Sequence, residues 1–123
     1  MERVGRISAA VANLLNITEA AGAPILLGES NIEHMKSKHP EDFARYGSDI
    51  AQILCEPDYV GINSKDNSIE YVKEYIVNGE FVKVAVRVSA SNRYFVRSLY
   101  VLNSRRVKNF IAKGTLKRLD NIE

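Results

Sequence analysis

The hydrophobic period of the chain changes near Asp58, and this change limits the folds open to it more than any other feature. Before that point, apolar side chains recur about every three to four residues, as in amphipathic helices, and after it they alternate, as in half-buried strands. Helices that precede a run of strands, instead of alternating with them, are typical of α+β domains. The sequence therefore predicts an α+β fold with N-terminal helices packed on one face of a four-stranded antiparallel sheet, and a short C-terminal helix.

Asn78-Gly79 is the clearest local signal within the strand region. The dipeptide separates two alternating runs, "SIEYVKEYIV" and "EFVKVAVRVSA", and Asn-Gly favours the type I′ turn of a two-residue hairpin. "DYVGIN" before this pair and "RYFVRSLYVLN" after it complete the predicted sheet. Arg97 interrupts the apolar side of the last strand, which indicates a bulge or a strand edge. "SRRVKNFIAKG" then shows helical spacing and is expected to form the C-terminal helix.

The segments before the sheet are predicted as helices and one short apolar run. Helical spacing predicts a single helix over residues 2–20, and "GAPILLG" follows as a short strand or a buried connector. "SNIE" has the pattern of a capping box, so a helix is expected from Asn31 to about His39, where Pro40 disfavours its continuation. "PEDFARYG" and "SDIAQILCEP" are expected to form two further short helices.

The length of 123 residues favours one domain. We expect a single domain over residues 1–123. Within it, an N-terminal helix occupies residues 1–22, the core extends over about 25–113, and a tail occupies 114–123.

Composition excludes several classes of protein. The chain is 46% hydrophobic and 26% charged, as is usual for soluble globular proteins, and its net charge of +2 is too small to argue for nucleic-acid binding by itself. The single cysteine, Cys55, excludes an intramolecular disulfide and fits a reducing compartment. No apolar run reaches the ~18 residues of a membrane span, and the N-terminus does not match a signal peptide. We expect no membrane contact and a cytoplasmic location, whether the chain acts alone or as part of a longer polypeptide.

Alternation in the last two strands assigns their side chains to faces of the sheet. The apolar set of the third predicted strand, expected to face the helices, comprises Val82, Val84, Val86 and Val88. The polar set on the opposite face comprises Lys83, Arg87, Ser98 and Tyr100. Cations, a hydroxyl group and a tyrosine suit phosphate contact and base stacking. Such residues are also common on a solvated outer face, and the pattern leaves both interpretations open.

Both histidines of the chain, His34 and His39, lie in "EHMKSKH", with two lysines between them. Their spacing does not align two metal ligands, no glutamate lies between them, and the lysines repel cations, so we expect neither a metal nor another cofactor. A metal-free ribonuclease needs one group that takes the 2′-OH proton, one that protonates the leaving 5′-oxygen, and cations near the phosphorane. Histidine and lysine can provide these. The alternative is that a histidine only caps the helix end or pairs with Glu41 and Asp42.

Three segments in this order, "NIEHMKSKHPEDF", "DIAQILCEPDYVGIN" and "VRSLYVL", resemble the phage-associated branch of the barnase–EndoU–colicin–RelE nuclease superfamily. The resemblance rests on the histidine–basic–histidine segment, the "CEPDYV" turn after a helix, and a serine and an aromatic residue in a late strand. It extends over about Ile25 to Asn103. It implies a helix-plus-four-strand fold, a toxin-like or phage-encoded role, and metal-independent RNA cleavage by acid–base transesterification through a 2′,3′-cyclic phosphate.

Carried onto this chain, the resemblance and the polar sheet face together define a candidate site. The expected catalytic residues are His34, His39, Arg87, Ser98 and Tyr100. The expected RNA- or phosphate-binding residues are Lys36, Lys38, Lys83 and Arg93. RNA is the expected partner, and an immunity or antitoxin protein is a candidate second partner.

Two functions remain open at the level of sequence. The first is a metal-independent endoribonuclease. The second is a non-catalytic RNA- or protein-binding module of phage origin with the same fold, which would bind RNA in a salt-dependent manner without cleaving it. Pairing of a partner strand with the hairpin edge is a third interpretation, which no feature of the strands favours.

Overall fold

The computed structural model describes residues 1–119, which form one seven-stranded sheet and five α-helices. The strands are β1 (Glu2–Arg6), β2 (Pro24–Leu27), β3 (Tyr59–Ile62), β4 (Ile69–Tyr75), β5 (Glu80–Val88), β6 (Tyr94–Leu102) and β7 (Leu116–Arg118). The helices are α1 (Ala9–Leu14), α2 (Glu29–Lys38), α3 (Pro40–Tyr46), α4 (Ile50–Cys55) and α5 (Ser104–Lys113). Single 3₁₀ turns lie at Thr18–Ala20 and Gly47–Asp49.

The sheet is mixed, and its strand order is β1-β2-β6-β5-β4-β3-β7. β2 runs parallel to β6, while the other neighbouring strands are antiparallel. The α+β class is as predicted, but the four-stranded antiparallel sheet is wrong, because β1, β2 and β7 extend the predicted four strands on both sides. β2 lies within "GAPILLG", for which a short strand was one of the two predicted alternatives, whereas β1 and β7, of five and three residues, were not predicted as strands.

The single helix predicted over residues 2–20 is also wrong. Residues 2–6 form β1, which pairs with β2, and a new helix begins at Ala9. Ser8 is the N-cap of that helix: its side-chain oxygen accepts a hydrogen bond of 3.1 Å from the amide of Val11. Asn16 has a φ of 59°, and this left-handed backbone cannot continue a right-handed helix. A cap and a left-handed residue therefore divide what helical spacing alone predicted as continuous.

The sheet has apolar side chains on both faces. The larger core lies between the sheet and α1 to α4, and its fully buried members include Val11, Met35, Ile53, Val84 and Leu99. A smaller cluster on the other face packs Val107 of α5 against Val72, Leu102 and Leu116. The residues of β5 confirm the predicted alternation for Val82, Val84 and Val86, which are fully buried, but Val88 is 49% exposed because the strand ends there.

The β4–β5 hairpin exists, but its turn is not type I′. Tyr75 pairs with Glu80, so the loop contains the four residues between them. Gly79 has a φ of 65° and Asn78 does not have a positive φ, whereas a type I′ turn requires both. In β6, the register passes from Ser98 directly to Val96, which leaves Arg97 as the extra residue of a bulge, as predicted.

Two predicted boundaries need correction. α2 begins at Glu29, two residues before the predicted start, with Gly28 as its N-cap; the side-chain oxygen of Asn31 accepts from the Gly28 amide at 2.9 Å. The predicted tail over 114–123 contains β7, which pairs with β3, and residues 120–123 lie outside the described part. The end of α2 agrees with the prediction: His39 leaves the helical region, and Pro40 starts α3.

Candidate active site

His39 lies at the bend between α2 and α3, beside the edge of β6 that β2 leaves unpaired. Its ring stacks on that of Tyr100, with 4.8 Å between the ring centroids and 27° between the planes. Asp42 holds the bend in place, because its carboxylate accepts a hydrogen bond of 3.0 Å from the backbone amide of Val101. The change of direction at Pro40 therefore brings one predicted catalytic histidine onto a predicted catalytic residue of the sheet.

Tyr100 adjoins a buried ion pair on the α5 side of the sheet. The ammonium nitrogen of Lys83 lies 4.8 Å from the centroid of the Tyr100 ring and 2.9 Å from Oε2 of Glu70. The two charged side chains are only 10% and 9% exposed. Asn63 donates a second hydrogen bond, of 3.2 Å, to the same carboxylate oxygen. The pair is therefore satisfied on both sides, as a buried charge must be.

The pKa of Lys83 reflects two opposing effects. Burial lowers the pKa, but the hydrogen bond and the negative charge of Glu70, with a smaller contribution from Tyr100, outweigh it and raise the pKa above its usual 10.5. Lys83 is consequently a fixed cation at neutral pH, directed at the ring on which His39 stacks.

Glu70, Lys83, Asn63 and Tyr100 line a pocket of about 260 Å³, and His39 contacts it from outside through the Tyr100 ring. α5 contributes Arg106 and Phe110, and the guanidinium carbon of Arg106 lies 5.6 Å from the Phe110 ring centroid. The remaining wall comes from Lys65 in the β3–β4 loop and Thr115 before β7, together with neighbouring residues of the loop. A pocket with cations, one carboxylate and aromatic rings suits an anion that carries a planar group.

The other predicted catalytic residues, Ser98, Arg87 and His34, do not line this pocket. Ser98 lies on the same strand face as Tyr100, two residues away, and is half-buried. Arg87 lines a different groove with Phe95 and Arg97. Among residues 1–119, the side chain of His34 makes no hydrogen bond, ion pair or ring contact.

The predicted phosphate-binding residues also divide. Lys83 is in the pocket, and Lys38 lines a shallow groove that includes His39. Lys36 is exposed, with its ammonium 5.8 Å from the Phe43 ring centroid. Arg93 lines a cavity at the β2 end of the sheet. His39, Tyr100 and Lys83 are thus the predicted residues that the fold brings together, and the roles of all of them stay predictions.

Sequence reasoning missed Glu70, Asn63, Arg106 and Phe110. Glu70 is the one of these that strand pairing could have predicted. The observed register places it opposite Ala85 and diagonally next to Lys83. A diagonal pair on one face of two antiparallel strands is within reach of long side chains. A four-residue hairpin loop, if predicted in place of the two-residue turn, would have placed Glu70 beside Lys83. The α5 residues carried no comparable signal, since they meet the pocket only through packing on the sheet.

A metal site is not evident in the part of the chain that the structure describes. Among residues 1–119, no group of three or more histidine, cysteine, aspartate or glutamate side chains is arranged to hold a metal ion.

In the same range, none of the helices is long and apolar enough to cross a membrane.

Comparison with known proteins places the chain in a family. A family model for nucleases of the barnase, EndoU, colicin and RelE type, in their phage-associated form, matches residues 2–109. The match includes the bend with His39 and every strand from β1 to β6. The chain belongs to this family, described as phage-Barnase-EndoU-ColicinE5/D-RelE like nuclease3. The resemblance predicted from the sequence is thereby confirmed. No curated protein and no solved structure matches the chain.

Proposed function

We propose that the protein is a metal-independent endoribonuclease that cleaves RNA by transesterification through a 2′,3′-cyclic phosphate. The observation that carries this proposal is the stacking of His39 on Tyr100, which lines the pocket that contains the buried Glu70–Lys83 pair. A group able to exchange protons thus contacts the wall of a pocket that holds a carboxyl group and a fixed cation. Membership in a nuclease family supports phosphodiester chemistry at this pocket.

The reaction requires two proton transfers and stabilisation of charge on phosphorus. Glu70, in its carboxylate form, can accept the 2′-OH proton as the 2′-oxygen attacks phosphorus. His39, in its protonated form, can then donate a proton to the 5′-oxygen as the bond between phosphorus and that oxygen breaks. The products are a 2′,3′-cyclic phosphate and a 5′-hydroxyl end. Lys83 and Arg106 offer positive charge to the phosphorane oxygens, where charge increases in the transition state.

Two residues are candidates for the group that accepts the 2′-OH proton. Glu70 lies in the pocket with Lys83, whereas His34 is the second histidine that the family resemblance implies. Replacement of each distinguishes them, with Ser37→Ala as a matched control because Ser37 is exposed on the same helix as His34. Cleavage of a dinucleotide and of total RNA is measured in EDTA, and the termini are analysed for cyclic phosphate.

We expect His39→Ala to reduce the cleavage rate by about 10²–10⁴-fold, the usual contribution of an acid–base group. Glu70→Gln should have an effect of the same order, and Ser37→Ala should have none. A large loss in His34→Ala with full activity in Glu70→Gln would instead favour the two-histidine mechanism. If the wild-type chain cleaves no RNA in EDTA while its fold is intact, the proposal is wrong.

One observation favours the second candidate function, a non-catalytic RNA- or protein-binding module. Lys83 and Glu70 satisfy each other, so the pair has a structural explanation that needs no substrate. This candidate predicts salt-dependent RNA binding without cleavage. Catalysis by His39 and Glu70 predicts a bell-shaped dependence of rate on pH, because one group must be protonated and the other not.

The proposal has a cellular consequence. A free endoribonuclease acting in the cytosol damages host RNA, so expression of the wild-type chain should slow growth and expression of His39→Ala should not. On the same proposal, an immunity or antitoxin protein would act by covering the pocket.

A further inference from the structure

A groove with two arginines lies on the same face of the sheet as the pocket but is separate from it. We call it the arginine groove, and its lining residues are Asn31, Arg87, Val88, Ser89, Phe95 and Arg97. Lys83 of the pocket and Arg87 are four residues apart on β5, so they project from one face at a distance of about 13 Å along the strand. Ala85 and Ser98, which pair with each other, lie between them. No residue lines both cavities.

The bulge in β6 is what brings a second arginine into this groove. Val96 and Leu99 are both fully buried in the core, although residues three apart in a regular strand project from opposite faces. Both reach the core because the bulge inserts Arg97 between them as an extra residue. Arg97 is exposed and lines the groove beside Arg87, which pairs with Phe95. A local distortion of the strand thus places two guanidinium groups in one cavity.

The positive charge of the arginine groove is not balanced locally. Within residues 1–119, neither Arg87 nor Arg97 makes a hydrogen bond or an ion pair, and the residues that line the groove include no aspartate or glutamate. Asp66 interacts electrostatically with Arg87, but its carboxylate already accepts a hydrogen bond of 3.0 Å from the Ser68 amide and it does not line the groove. Two like charges in one cavity repel each other, and an anion bound between them removes that repulsion.

The size and the remaining lining residues of the groove indicate which anion fits. Its volume of about 230 Å³ is below the ~300 Å³ at which ordinary small-molecule pockets begin, so it fits one phosphate group better than a whole ligand. Guanidinium groups bind phosphate oxygens through paired hydrogen bonds. The oxygen of the Asn31 side chain accepts from the Gly28 amide, which leaves its nitrogen as a further donor. The half-buried Phe95 ring is not stacked on another ring or contacted by a cation within residues 1–119.

We propose that the arginine groove binds the phosphate group of a nucleotide, with Arg87 and Arg97 as the phosphate ligands and the Phe95 ring as a surface for the base. Base–aromatic stacking is largely independent of the identity of the base. The nucleotide is either free or part of an RNA chain. Only the second source rests on the proposed function, because binding in the groove requires no cleavage in the pocket.

Binding of three probes tests this assignment. The probes are adenosine 5′-monophosphate, adenosine as its counterpart without phosphate, and a short 2′-O-methyl oligonucleotide that cannot be cleaved. The variants are Arg97→Gln and, as a control that removes the same charge elsewhere, Arg3→Gln in the outermost strand β1, where the arginine is also exposed. Amide chemical shifts in NMR spectra show whether a probe lies in the arginine groove or in the pocket. Dinucleotide cleavage is measured separately.

We expect the monophosphate to shift the amides around Arg87 and Arg97, and adenosine to leave them unchanged. Arg97→Gln should weaken this binding about tenfold, because it removes the charge-assisted hydrogen bonds of one guanidinium group, whereas Arg3→Gln should bind as the wild type does. Binding of the oligonucleotide alone, with the same dependence on Arg97, would identify an RNA chain as the source. Dinucleotide cleavage should not change in Arg97→Gln, since the single phosphate of a dinucleotide cannot occupy the pocket and the groove together.

A nucleotide site in the groove is contradicted if neither phosphate-containing probe shifts its amides, or if adenosine binds as tightly as the monophosphate. Equal weakening by Arg97→Gln and Arg3→Gln would also contradict it, because the attraction would then be one of overall charge. Binding that depends on Arg97, without any RNA cleavage in EDTA, would support the groove while contradicting the proposed function. RNA cleavage without binding in the groove would have the opposite meaning.

Discussion

At the scale of single residues, the contact between Lys83 and Glu70 is the most demanding feature of the fold. Both charges lose most of their hydration and recover it through one hydrogen bond of 2.9 Å and through Asn63. Removing one partner leaves the other charge buried and unpaired, which costs more than the pair itself contributes. The same pair borders the proposed reaction centre, so its stability and its chemistry can be tested with the same variants.

Lys83→Met should destabilise the protein by about 3–5 kcal/mol at neutral pH. The double variant Lys83→Met/Glu70→Leu should lose less than the sum of its single substitutions, since it leaves no unpaired charge. Because the pKa of Lys83 is raised above 10.5, its stabilising contribution is complete below that pH and is lost as pH rises through the higher folded value. Urea unfolding measured against pH should therefore show the wild type and Lys83→Met converging at alkaline pH. A constant difference would contradict this assignment.

At the scale of elements, the close approach of β3 and β7 depends on Gly61. A Cβ atom at this position would lie 2.2 Å from the backbone oxygen of Thr115, a distance that no backbone contact tolerates. Gly5 in β1 is a matched control, because a Cβ there would lie 3.5 Å from Leu54 at ordinary contact distance. Thr115 also lines the pocket, so a shift of β7 changes the site as well as the sheet.

Gly61→Ala should destabilise the protein by at least about 1–3 kcal/mol, since the added methyl group must displace β7 or strain β3. Gly5→Ala should be neutral or slightly stabilising, because alanine reduces the entropy of the unfolded chain. Denaturant unfolding of the two variants measures the difference. Equal stabilities would show that β7 can move away without loss of stability. The contact with Thr115 would then not restrict the residue at position 61.

The elements that the sequence predicts well are those whose partners are close along the chain. β4, β5 and β6 form successive antiparallel pairs, and the bend at Pro40 is a local backbone effect. β2 pairs with β6, about 70 residues later in the chain, and no periodicity encodes such a pairing. β7 has three residues and exists because β3 offers it an edge. Tertiary pairing therefore stabilises β7, which the pattern did not predict, and places β2, which the pattern predicted only as one of two alternatives.

Register explains why the candidate site was predicted only in part. A two-residue turn at Asn78-Gly79 would place Lys83 opposite Glu74, whereas the observed four-residue loop places it opposite Val72 and diagonal to Glu70. A shift by two residues keeps every side chain on its face. The polar face was therefore predictable while its ion pair was not. His39 and Tyr100 were predicted individually, but their contact depends on α3 packing beside β6.

At the scale of the whole molecule, the two faces of the sheet are unequally supported. The core under α1 to α4 includes fully buried residues from every strand of the centre of the sheet, whereas α5 is held mainly by Val107 in a small cluster with Val72, Leu102 and Leu116. Local stability follows the amount of buried apolar contact. α5 should therefore open before β5, although both border the same pocket.

Native-state hydrogen exchange should show a lower opening free energy for the amides of α5 than for those of β5, which is paired on both sides. Val107→Ala should lower the opening free energy of α5 by about 1–3 kcal/mol, because it leaves a cavity in the smaller cluster. If β5 opens only on global unfolding, its amides should respond to Val107→Ala by no more than the loss in global stability. Identical opening free energies in α5 and β5 would instead mean that the sheet and α5 unfold as one unit. Since Arg106 and Phe110 reach the pocket from α5, the first result would make the least stable element a wall of the pocket.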